Sequence, residues 1–435
     1  MKPIYRGCIA QLLEGVAPAM PGFPQCGAAE DRRPSVVPKS TTTKRHTLFR
    51  CLMMICVVML AAAAGQSAVR AADSQELITR GLDYLKTRQK EDGSWQSPKE
   101  PPGVSALVIR VFLNDKTHNA RQPFLHKAIE KLLSYQGPDG RISNQMLDNY
   151  NTAIAISALA AADGDPYRSQ IDKAVAFLKS IQWTDQIEGM ENMNRKVQES
   201  DPAYGGWGYG RHGRPDSSNL QITIEALHDA GLKPDDPAYQ AALKFITRSQ
   251  NHSETNDQPW AGDDGGFVYT PAGGRPGAPG ESPAGEYTSP DGRRRLRSYG
   301  SMTYAGLKSM IYAGLTRDDP RVKAAWDWIG RNWTLDENPG MRLDNPDNAQ
   351  SGLYYYYMTL ARSLRAYGQP IITDPQGITH DWRVELIDKL AELQKPDGSW
   401  IGEQRWMENN PVLATAYALI ALENARRDLQ DHPAN

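Results

Sequence analysis

An all-α protein of six helical hairpins, arranged as an α/α toroid with inner and outer helix rings, is what the sequence predicts. Three observations carry that expectation. An Asp-Gly turn followed by a large apolar residue recurs, as EDGSW at 91–95, GPDGRI at 137–142 and KPDGSW at 395–400. The residues before each such turn read as one amphipathic helix, and those after it begin another. No run of β-branched residues alternates with period two outside the short GGWGY and GGFVY segments, so no sheet is required.

The first hairpin runs QELITRGLDYLKTRQKEDGSW and then GVSALVIRVFL, in which Val104, Leu107, Val108, Val111 and Phe112 share one helical face. The second pairs HKAIEKLLSYQGPDGRI with NYNTAIAISALAAA, and the third pairs IDKAVAFLKSIQW with DSSNLQITIEALHDAG through GGWGYGR. The fourth pairs YQAALKFITRSQN with YGSMTYAGLKSMIYAG across the longest connection in the chain. The fifth pairs VKAAWDWIGRNW with SGLYYYYMTLARSLRAYG, and the sixth pairs VELIDKLAELQKPDGSW with PVLATAYALIALENAR.

Asp before Gly suits a reversal that needs a positive φ, and the aromatic that follows folds back over the helix just ended. Corresponding positions Trp95, Ile142, Trp207, Phe267, Trp333 and Trp400 lie 47, 65, 60, 66 and 67 residues apart, a loose but persistent period. Six hairpins can stack as an open superhelix or close into a toroid. The match between the first and last units favours closure, because it makes them neighbours.

Three segments are expected ahead of and within this fold. Residues 1–43 show no periodicity and read as an unstructured extension or a start assigned too far upstream. Residues 44–71 hold the apolar run CLMMICVVMLAAAA after Lys44, Arg45 and Arg50 and before small residues, the pattern of a signal peptide cleaved near Ala71. Residues 72–435 form the single toroid domain, so the mature chain is expected to be exported, periplasmic or secreted, with no membrane span.

All four cysteines, Cys8, Cys26, Cys51 and Cys56, precede the cut, which excludes disulfides, thiolate zinc sites and cysteine nucleophiles from 72–435. The segment 1–71 holds nine Lys/Arg against three Asp/Glu, which takes the whole chain's −2 to −8 for the remainder. A net acidic chain with no basic stripe excludes nucleic acid as a partner.

A helix ending in Gln, then Gly and a large apolar residue, then a helix such as TAYALIAL resembles the repeat of squalene-hopene cyclases and protein prenyltransferase β-subunits. The resemblance covers residues 75–426 and rests on Gln89/Trp95, Gln136/Ile142, Gln182/Trp207, Gln250/Phe267 and Gln394/Trp400. It implies the α/α toroid, and it is not specific for a reaction.

Cyclases of this kind protonate an alkene from a D-x-D-D-T-A motif. The nearest matches here, DSSNLQ at 216–221 and DNYNTA at 148–153, leave Asp216 and Asp148 as candidate catalytic acids. The central position is Ser218 in one and Tyr150 in the other, and neither hydroxyl is acidic enough to protonate an alkene near neutral pH. An Asp just before a helix is also an ordinary N-cap. Prenyltransferases hold zinc through Cys and His, where this chain has Ser301 and Ala414, so no metal and no cofactor is expected.

The loops ahead of the inner helices supply the candidate ligand-binding residues. Residues 201–216 offer Trp207, Tyr209 and Arg211, and residues 285–304 offer Arg297, Tyr299 and Tyr304. Aromatics beside arginines can hold an isoprenoid with an anionic head, or form a solvated basic loop. Asp263 and Asp264 read as a β-turn, or as the paired carboxylates of a glycan-active enzyme of helical-barrel type. Tyr354 and Tyr357 share one helical face and Tyr355 and Tyr356 point elsewhere, with the inward pair left open.

The expectation is an exported toroid that binds an apolar or isoprenoid-like small molecule, or a protein partner, without the usual catalysis. The alternatives are an active terpenoid cyclase with an isolated Asp and a glycan-active enzyme.

Overall fold

The computed structural model describes residues 74–432, apart from 98, 164, 188–195, 211, 212 and 273–278. The expectations for 1–43, for 44–71 with its cleavage point, and for Arg211 lie outside the described residues.

The helices fall into two chemically distinct sets. Outer helices α1 (74–87), α3 (Pro123–Leu133), α5 (Arg168–Ser180), α7 (Pro237–Arg248), α9 (Pro320–Arg331) and α11 (Trp382–Leu393) are amphipathic. In α3 only Leu125, Ala128, Ile129 and Leu132 are buried, and in α9 only Val322, Ala325, Trp328 and Ile329, each a single stripe. Inner helices α2 (Gly103–Asn114), α4 (Asp148–Ala160), α6 (Ser217–Asp229), α8 (Gly300–Tyr312), α10 (Leu353–Tyr367) and α12 (Pro411–Asp431) are buried over most of their length and on most of their faces. Every residue of α8 from Gly300 to Met310 is buried. A helix buried on most of its faces must be enclosed, so these six form the inner ring.

The ring closes. Each inner helix packs on the next from α2 through α12, and α12 packs back on α2. The expected α/α toroid of six hairpins is therefore the fold.

The recurring turn is the joint between hairpins. Gln136 Nε2 donates to Gly140 O at 3.3 Å within its own turn and to Gln170 O of the next outer helix at 2.9 Å. Gln89, Gln182 and Gln250 bridge their own turns to Phe124, Ala238 and Arg321 in the same way. At the seam, Gln394 Nε2 donates to Gly398 O at 3.1 Å and to Leu77 O of α1 at 3.0 Å, joining last hairpin to first. Each such bond contributes about 1 kcal/mol. The fifth hairpin lacks the Gln, and there Trp333 Nε1 reaches Glu385 on α11 at 2.9 Å.

Glycine is required in these turns for two reasons. Gly140 has φ +89, and a Cβ on it would lie 2.1 Å from the Lys173 carbonyl oxygen. The aromatics behave as the sequence suggested: Trp95, Trp207 and Trp400 donate their indole N–H to Leu85, Leu178 and Leu390 carbonyls, satisfying groups left free where the outer helix ends.

Three short hairpins, not called for by the sequence pattern, occupy long connections. β1 (Thr270–Ala272) pairs with β2 (Pro279–Glu281), and β3 (Glu286–Thr288) with β4 (Arg294–Leu296), between α7 and α8; β5 (Ile371–Thr373) pairs with β6 (Thr379–Asp381) between α10 and α11. These connections also brace the ring: Ile372 of β5 is buried in the main core, and the Ser217 N–H at the start of α6 donates to Tyr269 O at 2.8 Å. Among the described residues, no helix is long and apolar enough to cross a membrane.

Candidate functional site

The six inner helices start at one end of the ring, and the turn-bearing loops gather there. The residues just inside are tyrosines and small hydroxyls. Tyr355 on α10 brings its hydroxyl to 2.9 Å from Ser218 Oγ and accepts from Gln221 Nε2 at 2.8 Å, both on α6. Tyr417 on α12 meets Tyr355 edge to face at 5.9 Å, and Tyr150 on α4 stacks on Tyr209 at 6.3 Å. Burial pushes the Tyr355 phenol up to about 12, so this belt is neutral at physiological pH.

Of the four consecutive tyrosines, Tyr355 is the one that faces the lumen. Tyr356 and Tyr357 instead donate to Thr334 O at 2.8 Å and Leu335 O at 2.5 Å, and Tyr354 packs edge to face on Tyr357.

Below the belt lies a cleft with room for little more than one water molecule, walled by Leu107, Ile154, Ile222 and Met358. Its floor is ionic. Glu225 on α6 accepts from Arg110 on α2 at 2.8 Å, from Arg362 on α10 at 2.6 Å and from Lys308 on α8. Arg110 also reaches Asp229 at 3.0 Å, and Lys308 donates to Gln221 Oε1 at 2.6 Å. Burial alone would raise Glu225, but Arg362, Lys308 and Arg110 hold its carboxyl well below the ordinary range. Burial pushes Lys308 down to about 8.

Asp216 is the N-cap of α6: it is 1% exposed, its Oδ1 accepts the Asn219 N–H at 2.8 Å, and its Oδ2 accepts Asn219 Nδ2 at 2.9 Å. Burial pushes it up to about 6 against those bonds and the nearby Arg214. Asp148 begins α4 with its carboxylate tied to Ser143 Oγ at 2.5 Å and Arg141 Nη1 at 3.2 Å. Both candidate acids thus sit at the mouth, one as a cap and one in an ion pair.

The candidate ligand residues are dispersed. Trp207 is 0% exposed and holds a turn together, and Tyr304 lies in the core edge to face with Tyr356 at 5.6 Å. Neither presents a surface to the mouth. Tyr299 is the buried N-cap of α8, and Tyr209 is exposed with its hydroxyl 3.4 Å from that of Tyr269. Arg297 pairs with Asp344 at 2.8 Å and lies over Tyr287.

The basic run mostly fastens its own loop. Arg294 pairs with Glu286, and Arg295 donates to the Pro259 and Ala261 carbonyls. Asp263 and Asp264 serve turns, accepting from Ser253 N–H at 2.9 Å and Gly266 N–H at 2.8 Å. Among the described residues no group of three or more His, Cys, Asp or Glu side chains could hold a metal ion.

Sequence reasoning missed the floor. Arg110 and Lys308 are each the single charged residue of their inner helix, while Glu225 and Arg362 share theirs with Asp229 and Arg365, so the available signal is a charge placed mid-helix among buried residues. It also missed Glu408, fully buried, whose carboxylate accepts the Tyr355 N–H at 2.8 Å and the Tyr354 N–H at 3.2 Å where α10 begins.

No family model matches the sequence, and no curated protein matches it. Among solved structures, a substituted form of the type II terpene cyclase MstE from Scytonema, holding its product merosterolic acid A, is similar over 83% of this chain and 99% of its own, at 13% identity and a TM-score of 0.49. An unsaturated glucuronyl hydrolase from Streptococcus agalactiae is similar over 81% of this chain and 91% of its own, at 12% identity and a TM-score of 0.47. A protein from Actinoplanes is similar over 81% and 99%, at 17% identity and a TM-score of 0.46. At these levels no activity is carried from them to this chain.

Proposed function

We propose that this protein is a ligand-binding toroid that holds a slim apolar molecule, isoprenoid-like in chemistry, in its lumen and does not cyclise it. The observation that carries this reading is what stands at the position of the central cyclase acid. Ser218 and Tyr150 occupy it, and Ser218 is hydrogen-bonded to the neutral phenol of Tyr355. A ring of hydroxyls binds and orients, and it cannot deliver a proton to an alkene.

The cleft is water-sized as it stands, so an incoming chain has to widen it: the apolar walls then supply the contact, and Met358, an unbranched thioether, repacks to make room. Large exposed apolar side chains in the loops leading to the inner helices, Met146, Tyr209, Tyr287, Leu343, Ile401 and Met407, support entry from that end. The reading includes export of the chain after cleavage near Ala71, which N-terminal sequencing of the native protein checks.

The deciding experiment is native mass spectrometry with lipid extraction of the purified protein, followed by incubation with linear isoprenoids and product analysis. An unchanged isoprenoid or other apolar molecule, bound and recovered intact, is the expected result. A cyclised product, formed by the wild type and lost in Asp216→Asn, would overturn the reading.

A further inference from the structure

We propose that residues 403–407 form a lid over the mouth of the ring, bolted by Trp406 on the start of α10 and opened when Trp406 swings out. This deepens the ligand-binding reading above and rests on it, because a water-sized cleft admits a chain only if something opens.

The segment bridges three inner helices. Asn410 caps α12, its side chain accepting the Val412 N–H at 3.0 Å, and the Gly402 N–H donates to Glu408 O at 2.9 Å, which closes the base of the loop. From that base the tip lies over α10: the Trp406 ring covers Gly352, where an added Cβ would lie 2.5 Å from it. Arg405 donates to Asn348 ahead of α10, and its guanidinium is close enough to Tyr299, at the start of α8, for the two groups to interact electrostatically.

Two features mark the segment as movable. Trp406 and Met407 have φ +58 and +65, and among the described residues they are the one adjacent pair of non-glycines in left-handed backbone. Side chains disfavour that region, so the closed segment is held against a strain that opening releases. None of residues 403–407 is buried: Arg405 and Trp406 are half-buried, and Glu403, Gln404 and Met407 are exposed. Opening therefore gives up little core contact.

Glu408, next to the strained pair, transmits the motion. Its fully buried carboxylate accepts the Tyr354 and Tyr355 N–H groups, which lie in the first turn of α10 and have no helical carbonyl to bond. The hydroxyl of the same Tyr355 crosses to Ser218 and Gln221 in the belt. Lifting the lid thus loosens the residue that closes the lumen.

Hydrogen exchange at the Tyr354 and Tyr355 amides of the purified protein reads the lid without any ligand. Trp406→Ala removes the bolt and is expected to speed that exchange about tenfold, with the amides of α8 unchanged. Met407→Gly relieves strain in the closed state while leaving the Trp406 seat and the Glu408 bonds in place, and is expected to slow it about threefold. Unchanged exchange in both variants, or exchange accelerated equally around the whole ring in Trp406→Ala, would overturn the lid. Should Trp406→Ala not fold, Met407→Gly decides alone, and unchanged or faster exchange there overturns it.

Uptake of tritiated farnesol, followed by rapid filtration, separates the lid from the reading beneath it. Faster uptake by Trp406→Ala and slower uptake by Met407→Gly is the expected result. Equal rates in wild type and both variants would overturn the lid as the route of entry. No farnesol binding to any of them would overturn the ligand-binding reading, while exchange still decides whether the lid opens.

Discussion

Replacing Gly398 by Ala strikes the seam of the ring, and the structure supplies its own control. Gly398 has φ +88, and a Cβ there would lie 2.4 Å from the Arg80 carbonyl oxygen on α1. Gly377, in the turn between β5 and β6, has φ +80 and nothing within 4 Å of the same added carbon. Gly377→Ala therefore costs only the left-handed backbone penalty, about 1 kcal/mol.

Gly398→Ala incurs the same penalty and also forces α1 away. That breaks the Gln394 bond to Leu77, about 1 kcal/mol. It also loosens the contacts of Ile78, Leu82 and Leu85, all buried in the core. The sum is about 3 kcal/mol or more. Urea unfolding of both variants measures the difference, and hydrogen exchange over 74–87 locates it, because only the seam variant is expected to unprotect α1. Equal destabilisation by the two substitutions, with α1 still protected, would refute the idea that the turn glycine holds the ring shut.

Glu225→Gln leaves Arg110, Lys308 and Arg362 facing one another without their shared anion, and is expected to cost about 3–5 kcal/mol by chemical denaturation. Asp216→Ala removes a helix cap and is expected to cost about 1–2 kcal/mol, whereas Asp216→Asn, which still accepts the Asn219 N–H, should cost well under half of that in the same assay. Burial pushes Glu408 up to about 7, so the folded state keeps a proton that an unfolded glutamate releases near pH 4.3. Its contribution is complete below about pH 4.3 and is lost as pH rises through 7, about 3 kcal/mol in all; Glu408→Gln should flatten that part of the stability profile, and parallel wild-type and variant profiles would count against it.

Much of the ring was legible because its signals are local. In the first and last turns a Gln, a left-handed Gly and a Trp lie within a few residues of one another, and the Trp does its work beside the helix it follows. The lumen was less legible because its partners come from different hairpins. Arg110 and Glu225 are brought together only by ring closure, and nothing in GVSALVIRVFL or in QITIEAL by itself reveals the other.

The tyrosine run shows the same limit. Helical spacing grouped Tyr354 with Tyr357, and it took the position of Ser218 on another helix to show that Tyr355 alone points inward. The basic loop reads from sequence either as a binding surface or as a solvated loop, and it takes the positions of Glu286, Asp291 and Asp344 to show which carboxylates pair with Arg294, Arg295 and Arg297.

The seam also bears on how the chain is made. Internal joints link residues such as Gln136 and Gln170, separated by 34 positions, whereas the final one links Gln394 and Leu77, separated by 317. Synthesis therefore releases five hairpins before the sixth can complete the circle, and α1 must wait with an unmatched flank until the C-terminal repeat emerges. Because every joint but the fifth uses the same bond pattern, the circle itself does not record where the chain starts. A circular permutant opened between α4 and α5, with 432 linked back to 74, should reach the same ring with its longest wait moved to a different pair of neighbours.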